Sequence, residues 1–166
     1  MFQTKNLNYK MLSKDSLDAV REFVVTENNL FDKGISYLSH APVNRSHRWK
    51  PYTNLVKPIT NYLKEKDLNI TALGANRIEA NTKKNVFFMP NKNNGTNTVI
   101  LIPLFDYSRE QKVLHFIKTK SKIALNSTLV FDHSLQRHWV NEYNTKFCFL
   151  VYGLNESISI VTERLS

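Results

Sequence analysis

The spacing of apolar residues in the first third of the chain predicts two helices. In SKDSLDAVREFVV, residues 13–25, apolar side chains recur every three or four positions, and a serine or an aspartate can cap the start. NLVKPITNYLKEK, residues 54–66, has the same period. Pro58 lies inside this second pattern, so the helix either kinks or begins there. Residues 28–51 contain a glycine and two prolines and are expected to be irregular.

From about Leu68 onward the pattern of apolar residues becomes typical of strands. Short runs rich in β-branched and aromatic residues follow one another, with a few polar residues between them. Asn94-Gly95 is typical of a tight turn. The runs are NITALGANRIEAN, NVFFMP, TVILIPLF, KVLHFIKT, KIAL, TLVFD, HWVNEY, FCFLVYGL and SISIVTERL. Helices followed by about eight or nine strands predict an α+β protein whose main body is a β-sandwich or barrel.

The composition is that of an ordinary globular protein. The chain has 166 residues, of which 42% are hydrophobic and 22% charged, and this favours one domain. We expect a helical and loop-containing part over residues 1–67 and a β-barrel core over residues 68–166. No apolar run approaches the roughly 20 residues that span a bilayer, the first residues lack the apolar core of a signal peptide, and the single cysteine, Cys148, is expected in the core. These features predict a cytoplasmic protein without membrane contacts.

The net charge suggests which kinds of partner the protein could bind. The formal charge is +9, from 23 Lys and Arg against 14 Asp and Glu, and such an excess attracts nucleic acid and acidic proteins. The lysines are spread along the chain, so a solvated basic surface explains the same charge. The many asparagines beside them suggest an AT-rich genome, and with the small size they favour a viral or phage protein.

The five histidines are the main candidates in this sequence for metal binding or catalysis. With four glycines, the sequence contains neither a phosphate loop nor a dinucleotide fingerprint, and it has no GxSxG elbow. His40 and His47 lie near arginines and Trp49 in a region expected to be loop, which is either an anion contact or a plain basic surface. His115 alternates with apolar neighbours in a predicted strand, and we expect it to be structural.

The order of elements in the second half resembles that of the Fe(II)/2-oxoglutarate-dependent oxygenases. TVILIPLF, KVLHFIKT and STLVFDHSLQRHWVNEYNTKFCFLVYGL follow one another as in the prolyl 4-hydroxylase and aspartyl/asparaginyl β-hydroxylase-like branches. ANRIEAN resembles the strand that leads into the first metal motif of that family. The resemblance covers residues 70–153. It implies a double-stranded β-helix (jelly-roll or cupin-like) barrel with N-terminal helices, and Fe(II) and 2-oxoglutarate as cofactors.

The resemblance also implies individual site residues. In the family, a strand ending in a phrase like LVFD is followed by a short loop and the distal metal-binding histidine, and His138 takes that place. A basic residue on the last strand pairs with the 2-oxoglutarate carboxylate. Lys146 is the best-placed residue for this role, and Arg137 is the alternative.

The first metal motif of the family is replaced in this chain. Where the family has His-x-Asp or a single histidine, the chain has FMPNKNNG, so that Asn91 and Asn93 occupy the ligand positions. Neutral amides are poor substitutes for an imidazole and a carboxylate on ferrous iron. No histidine lies between His47 and His115, so no shift of the motif restores the ligand. Iron binding would need another ligand, such as His115 or His133, although His133 is better explained as a polar loop residue.

Three functions are compatible with these features. The first is an oxygenase that hydroxylates a protein, a nucleic acid or a small molecule. The second is a catalytically inactive binding module without cofactor, whose barrel mouth binds nucleic acid or an acidic protein through Lys146, Arg137 and Arg77 beside Trp139 and Phe88. The third is a structural β-sandwich, such as a virion or assembly subunit.

Overall fold

The fold is given by a computed structural model, which describes residues 2–26, 35–40, 50–78, 82–86, 95–107, 113–116, 121–124, 127–135, 139–141 and 146–166. In chain order the elements are β1 (Phe2–Thr4), α1 (Lys14–Thr26), β2 (Ile35–His40), α2 (Lys50–Leu55), α3 (Lys57–Glu65), β3 (Ile70–Ile78), β4 (Thr82–Val86), β5 (Thr98–Pro103), β6 (Val113–Phe116), β7 (Ser121–Ala124), β8 (Thr128–Asp132), β9 (Trp139–Asn141), β10 (Phe147–Leu154) and α4 (Ile158–Leu165).

The described strands form two antiparallel sheets. The large sheet has the order β1-β8-β5-β10-β3-β2, and the small sheet has the order β4-β9-β6-β7. From β3 to β10 the chain passes repeatedly between the sheets, because β3, β5, β8 and β10 belong to the large sheet and the four strands between them to the small one. The predicted α+β class is confirmed.

The two helical patterns of the first third also form helices. In α1 the apolar residues at helical spacing, Leu17, Val20, Phe23 and Val24, are buried. The second pattern is divided at Val56, and α3 begins at Lys57 with Pro58 in its first turn. A proline is tolerated there because the first amides of a helix have no intrahelical acceptor. Pro58 therefore begins a helix and does not kink one.

One face of the large sheet packs against the helices. Buried residues of α1, α3 and α4 form a single apolar cluster with alternate residues of the central strands, among them Leu73, Ala75, Ile100, Ile102, Val130, Cys148, Leu150 and Tyr152. A hydrogen bond of 3.0 Å between the Tyr152 hydroxyl and Thr60 Oγ1 joins β10 to α3. Burial raises the pKa of Tyr152 above its usual range. We call this side of the sheet the helix-covered face.

The opposite face of the large sheet, which we call the inner face, is buried as well. Its residues alternate with those of the helix-covered face, and the strand register aligns them: Phe149 lies opposite Pro103, and Val151 opposite Leu101. The apolar side chains of this face are at most 1% exposed, and they are Val99, Leu101, Leu129, Phe131, Phe147, Phe149 and Val151. The large sheet is therefore apolar on both sides, like a strand layer in the middle of a domain.

Besides the three-residue strand β1 and the early start of β4, two segments differ from the sequence-based expectation. Residues 157–165 were expected to form a strand, because Ser and Ile alternate at their start; they form α4 instead. The alternation lasts only four residues, whereas Val161 and Leu165 are buried one helical turn apart and Ile160 is 38% exposed.

The second difference lies within residues 28–51, which were expected to be irregular. Ile35–His40 forms strand β2, which pairs with β3 over six residues. Gly34 and Pro42 lie on either side of this strand and leave its interior free of breakers. The N-terminal part thus contributes strands to both edges of the large sheet, and His40 ends a strand rather than lying in a loop.

In the part of the chain that the structure describes, no helix combines the length and the apolar character that crossing a membrane requires.

Candidate functional site

Most of the predicted site residues lie outside the described residues. These are Arg137, His138, Asn91 and Asn93, and their predicted roles stay predictions. Phe88 and His47 lie outside them too, and Trp139 and His115 are described by their backbone in β9 and β6. Among the predicted residues, Lys146, Arg77 and His133 have described side chains.

The sequence TLVFD forms β8, and the side chain of its last residue, Asp132, stabilises the turn that follows. Asp132 Oδ1 accepts hydrogen bonds from the Ser134 amide (2.7 Å) and the Ser134 hydroxyl. The His133 amide donates to the Asn97 carbonyl (2.9 Å), which fixes the turn to the start of β5. Asp132 is thus a turn residue of the Asx type, and it holds the turn in which the chain leaves β8.

The pKa of Asp132 is lowered, mainly by the hydrogen bonds from Ser134. Because the folded-state pKa lies below the unfolded one, the carboxylate stabilises the fold above the unfolded pKa of about 3.9, and this stability is lost as pH falls. We expect Asp132→Asn to lower the free energy of unfolding at neutral pH by less than about 1 kcal/mol, since the group is largely solvated. Urea unfolding of both proteins over a pH series should show the difference shrinking in acid. A difference that is constant with pH would contradict this role.

Lys146 lies immediately before β10 and contacts the end of α1. Its Nζ donates to the Val25 carbonyl at 3.4 Å, and its own carbonyl lies 3.5 Å from the Tyr107 hydroxyl. The side chain is therefore on the same side as Cys148, two residues later, which is the helix-covered face. Pairing with a 2-oxoglutarate carboxylate stays a prediction, and it would require this side chain to leave α1.

Arg77 shares this position at the end of α1. It is 4% exposed, lies opposite Cys148 in the sheet, and donates from one terminal nitrogen to the carbonyls of Val24 (3.2 Å) and Val25 (2.9 Å). Cations near the last carbonyls of a helix are favourable because they satisfy acceptors there and complement the helix dipole. Lys146 and Arg77, two of the three basic residues that the sequence assigned to a barrel mouth, therefore hold α1 on the sheet.

The inner face can be examined for its fit to the iron and 2-oxoglutarate that the resemblance predicts. Metal ligands, hydrogen-bond donors and an opening would be needed there. Apart from Asn76, the described inner-face side chains are aliphatic or aromatic and closed to water, and within the described residues no three His, Cys, Asp or Glu are grouped so as to hold a metal. The described part of this face does not fit the metal or the cofactor.

Asn76 is the polar exception on the inner face. It lies in β3 opposite Phe149, it is 1% exposed, and neither atom of its amide has a hydrogen-bond partner among the described residues. An amide so placed costs stability. Sequence reasoning missed it, since an asparagine inside ANRIEAN carries no signal of burial.

Comparison with known proteins supports the fold. The sequence matches no family model and no curated protein. A prolyl-4-hydroxylase from Pseudomonas putida is similar in structure, with a TM-score of 0.53 and 8% identity over 92% of this chain and 90% of that one. A viral collagen prolyl hydroxylase from Paramecium bursaria Chlorella virus-1 gives 0.48, with 10% identity over 87% and 91% of the two chains. A Trichoplax adhaerens prolyl hydroxylase, solved with a hypoxia inducible factor peptide, gives 0.49, with 11% identity over 93% and 83%.

The resemblance to prolyl 4-hydroxylases is thus confirmed for the fold. At 8% identity the likeness does not extend to individual site residues.

Proposed function

We propose that this protein is a metal-independent binding module built on a double-stranded β-helix, the fold of the oxygenases that it resembles. The strand order supports this fold. The eight strands from β3 to β10 divide into two antiparallel sheets of four, with β1 and β2 added at the edges of the large one. Two sheets joined by such crossing connections are typical of a jelly roll.

The observation that carries the proposal is the apolar inner face. The first inner-face residue of β10 is Phe147, which is fully buried, while the neighbouring cation, Lys146, contacts α1. At the positions where the resemblance predicts the ligands of the first metal motif, the sequence has Asn91 and Asn93. The described apolar residues of this face stabilise the fold, but they offer neither a ligand to iron nor a donor to a carboxylate, and the Asn76 amide is the one polar group described among them.

The net charge of +9 indicates the class of partner. Binding to nucleic acid needs little more than cations along a surface, because release of the counterions condensed on the phosphates supplies most of the free energy. Nucleic acid is therefore the proposed partner, and an acidic protein is the alternative partner.

A titration with labelled oligonucleotides tests the proposed partner. Binding of single- and double-stranded oligonucleotides should weaken linearly in a plot of log K against log salt, with a slope close to the number of phosphates contacted. Poly-glutamate in parallel represents an acidic protein. No binding at low salt, a flat salt response, or binding of poly-glutamate alone would contradict nucleic acid as the partner.

The position of His138 favours a second function, an oxygenase. This histidine lies in sequence between β8 and Trp139, the first residue of β9. The resemblance predicts the distal metal ligand at this place, after the strand that ends in LVFD. The other iron ligands would then have to come from outside the first motif.

A further inference from the structure

Charged residues are unevenly distributed between the two described sheets. The six strands of the large sheet contain one arginine, Arg77, which is bonded to the end of α1, and one aspartate, Asp132. The four described strands of the small sheet contain three lysines and no acidic residue. These are Lys83 and Lys84 in β4 and Lys122 in β7, the two edge strands of that sheet. The net positive charge of the described strands therefore lies on the small sheet.

The helices that pack on the large sheet are close to neutral. α1 has two basic and three acidic residues, α3 has two and one, and α4 has one of each. The sequence around β6 and β7 differs, because residues 109–122 contain five Lys and Arg and one acidic residue. This short stretch carries +4 of the net charge of +9. Lysines that are distant in sequence, in β4 and in β7, are thus placed on one sheet.

The register of the small sheet separates its apolar positions from its polar ones. Trp139 of β9 lies opposite Phe116 on one side and Val86 on the other. In the next row, His115 lies opposite Lys122. Neighbouring rows belong to opposite faces of a sheet. In antiparallel sheets the apolar face commonly adjoins the core and the polar face adjoins water, so the register assigns His115 and Lys122 to the face of the second kind.

We propose that the small sheet binds the phosphates of nucleic acid through Lys122 and the two lysines of β4. The inference rests on the nucleic-acid partner of the proposed function and gives that partner a place on the molecule. β4 and β7 are separated by two strands, and at about 4.8 Å per strand the edges lie about 14 Å apart. That distance corresponds to about four nucleotides along a duplex strand, so lysines at both edges can contact separate phosphates.

The kind of residue indicates the kind of contact. Lysine is a flexible point charge without the planar fork of arginine, and contacts to phosphates carry no sequence information. Binding is therefore expected to depend little on base sequence. Lysines also discourage pairing at sheet edges. However, the edges of the large sheet, β1 and β2, contain no lysine, so edge protection by itself does not explain their concentration on the small sheet.

Replacing the small-sheet lysines tests the location. In the triple variant Lys83→Gln/Lys84→Gln/Lys122→Gln, the slope of log K against log salt for a duplex oligonucleotide should fall by about 2–3 units, since each phosphate contact contributes about 0.9. The dissociation constant at low salt should rise roughly tenfold or more. The measurement is a fluorescence anisotropy titration of the variant and the parent protein at several salt concentrations.

A control variant with the same change in net charge replaces three exposed lysines outside the small sheet. This variant is Lys10→Gln/Lys57→Gln/Lys64→Gln, and its salt slope should stay within about one unit of the parent value. Equal losses in the two triple variants would overturn the location while the nucleic-acid partner stands. A parent protein that binds no oligonucleotide at low salt would overturn the partner and the location together.

Lysine acetylation followed by mass spectrometry tests the unaltered protein and does not depend on the folding of any variant. Bound oligonucleotide should slow the modification of the three small-sheet lysines several-fold. The three lysines of the control variant should react at the rate of the free protein. Equal slowing of both groups, or slowing of the control group alone, would overturn the proposed surface.

Discussion

Replacing Phe149 with alanine is expected to lower the free energy of unfolding by about 3–5 kcal/mol, the usual cost of emptying a buried phenylalanine site. Phe149 is fully buried on the inner face, in the central strand β10, with Pro103 on one side and Asn76 on the other. If this face is a packed core, the neighbours cannot fill the space that the ring leaves. Denaturant unfolding of the variant and the parent protein measures the difference.

Ile160→Ala is the matched control for this prediction. Ile160 is 38% exposed in α4, so its truncation should change stability by less than about 1 kcal/mol. Phe149→Leu should lie between the two. If Phe149→Ala costs no more than Ile160→Ala, the inner face is an open cavity and its role as a core is wrong.

Replacing Arg77 with methionine is expected to cost about 1.5–3 kcal/mol, the range for hydrogen bonds made by a charged group. Methionine keeps most of the apolar length but leaves the carbonyls of Val24 and Val25 without this donor. α1 then loses a cation at its C-terminal end, where the helix dipole favours one. Thermal or chemical unfolding should show the loss, with part of it recovered in Arg77→Lys.

Arg164→Met provides a control of the same chemistry at the surface. Arg164 also donates to a backbone carbonyl, that of Asp67, and its ion pair with the Asp67 carboxylate is long, at 3.8 Å, and exposed. We expect its replacement to cost less than about 1 kcal/mol. Equal losses in the two variants would show that burial at Arg77 adds nothing.

Much of the fold could be predicted from the sequence, because its long elements have a clear period. Leu17, Val20, Phe23 and Val24 recur at helical spacing over about two turns. Seven of the eight described strands from β3 to β10 lie on predicted runs, whereas β4 shares only Asn85 and Val86 with its run. The segments whose structure was wrongly predicted are short. In α4 four residues mimic a strand, and in β2 six residues lie between breakers, so pairing with β3 decides their structure.

The site was harder to predict, because a shift of one residue in a strand exchanges its two faces. The sequence places a basic residue next to β10, as the resemblance requires. However, Lys146 is on the side of α1, and Phe147 is the residue that lies on the inner face. No pattern around these residues indicates which one points inward. The burial of Asn76 depends in the same way on the alternation in β3 and on what lies across the sheet.

Anaerobic calorimetry with Mn(II) and 2-oxoglutarate tests the central claim, that the protein is a binding module without a metal centre. We predict no saturable heat of binding for either ligand, because the described residues of the inner face include no imidazole or carboxylate and the positions predicted for the first metal motif hold Asn91 and Asn93. Micromolar binding that is lost in His138→Ala, with the stability of that variant unchanged, would contradict the claim and establish an oxygenase-type site.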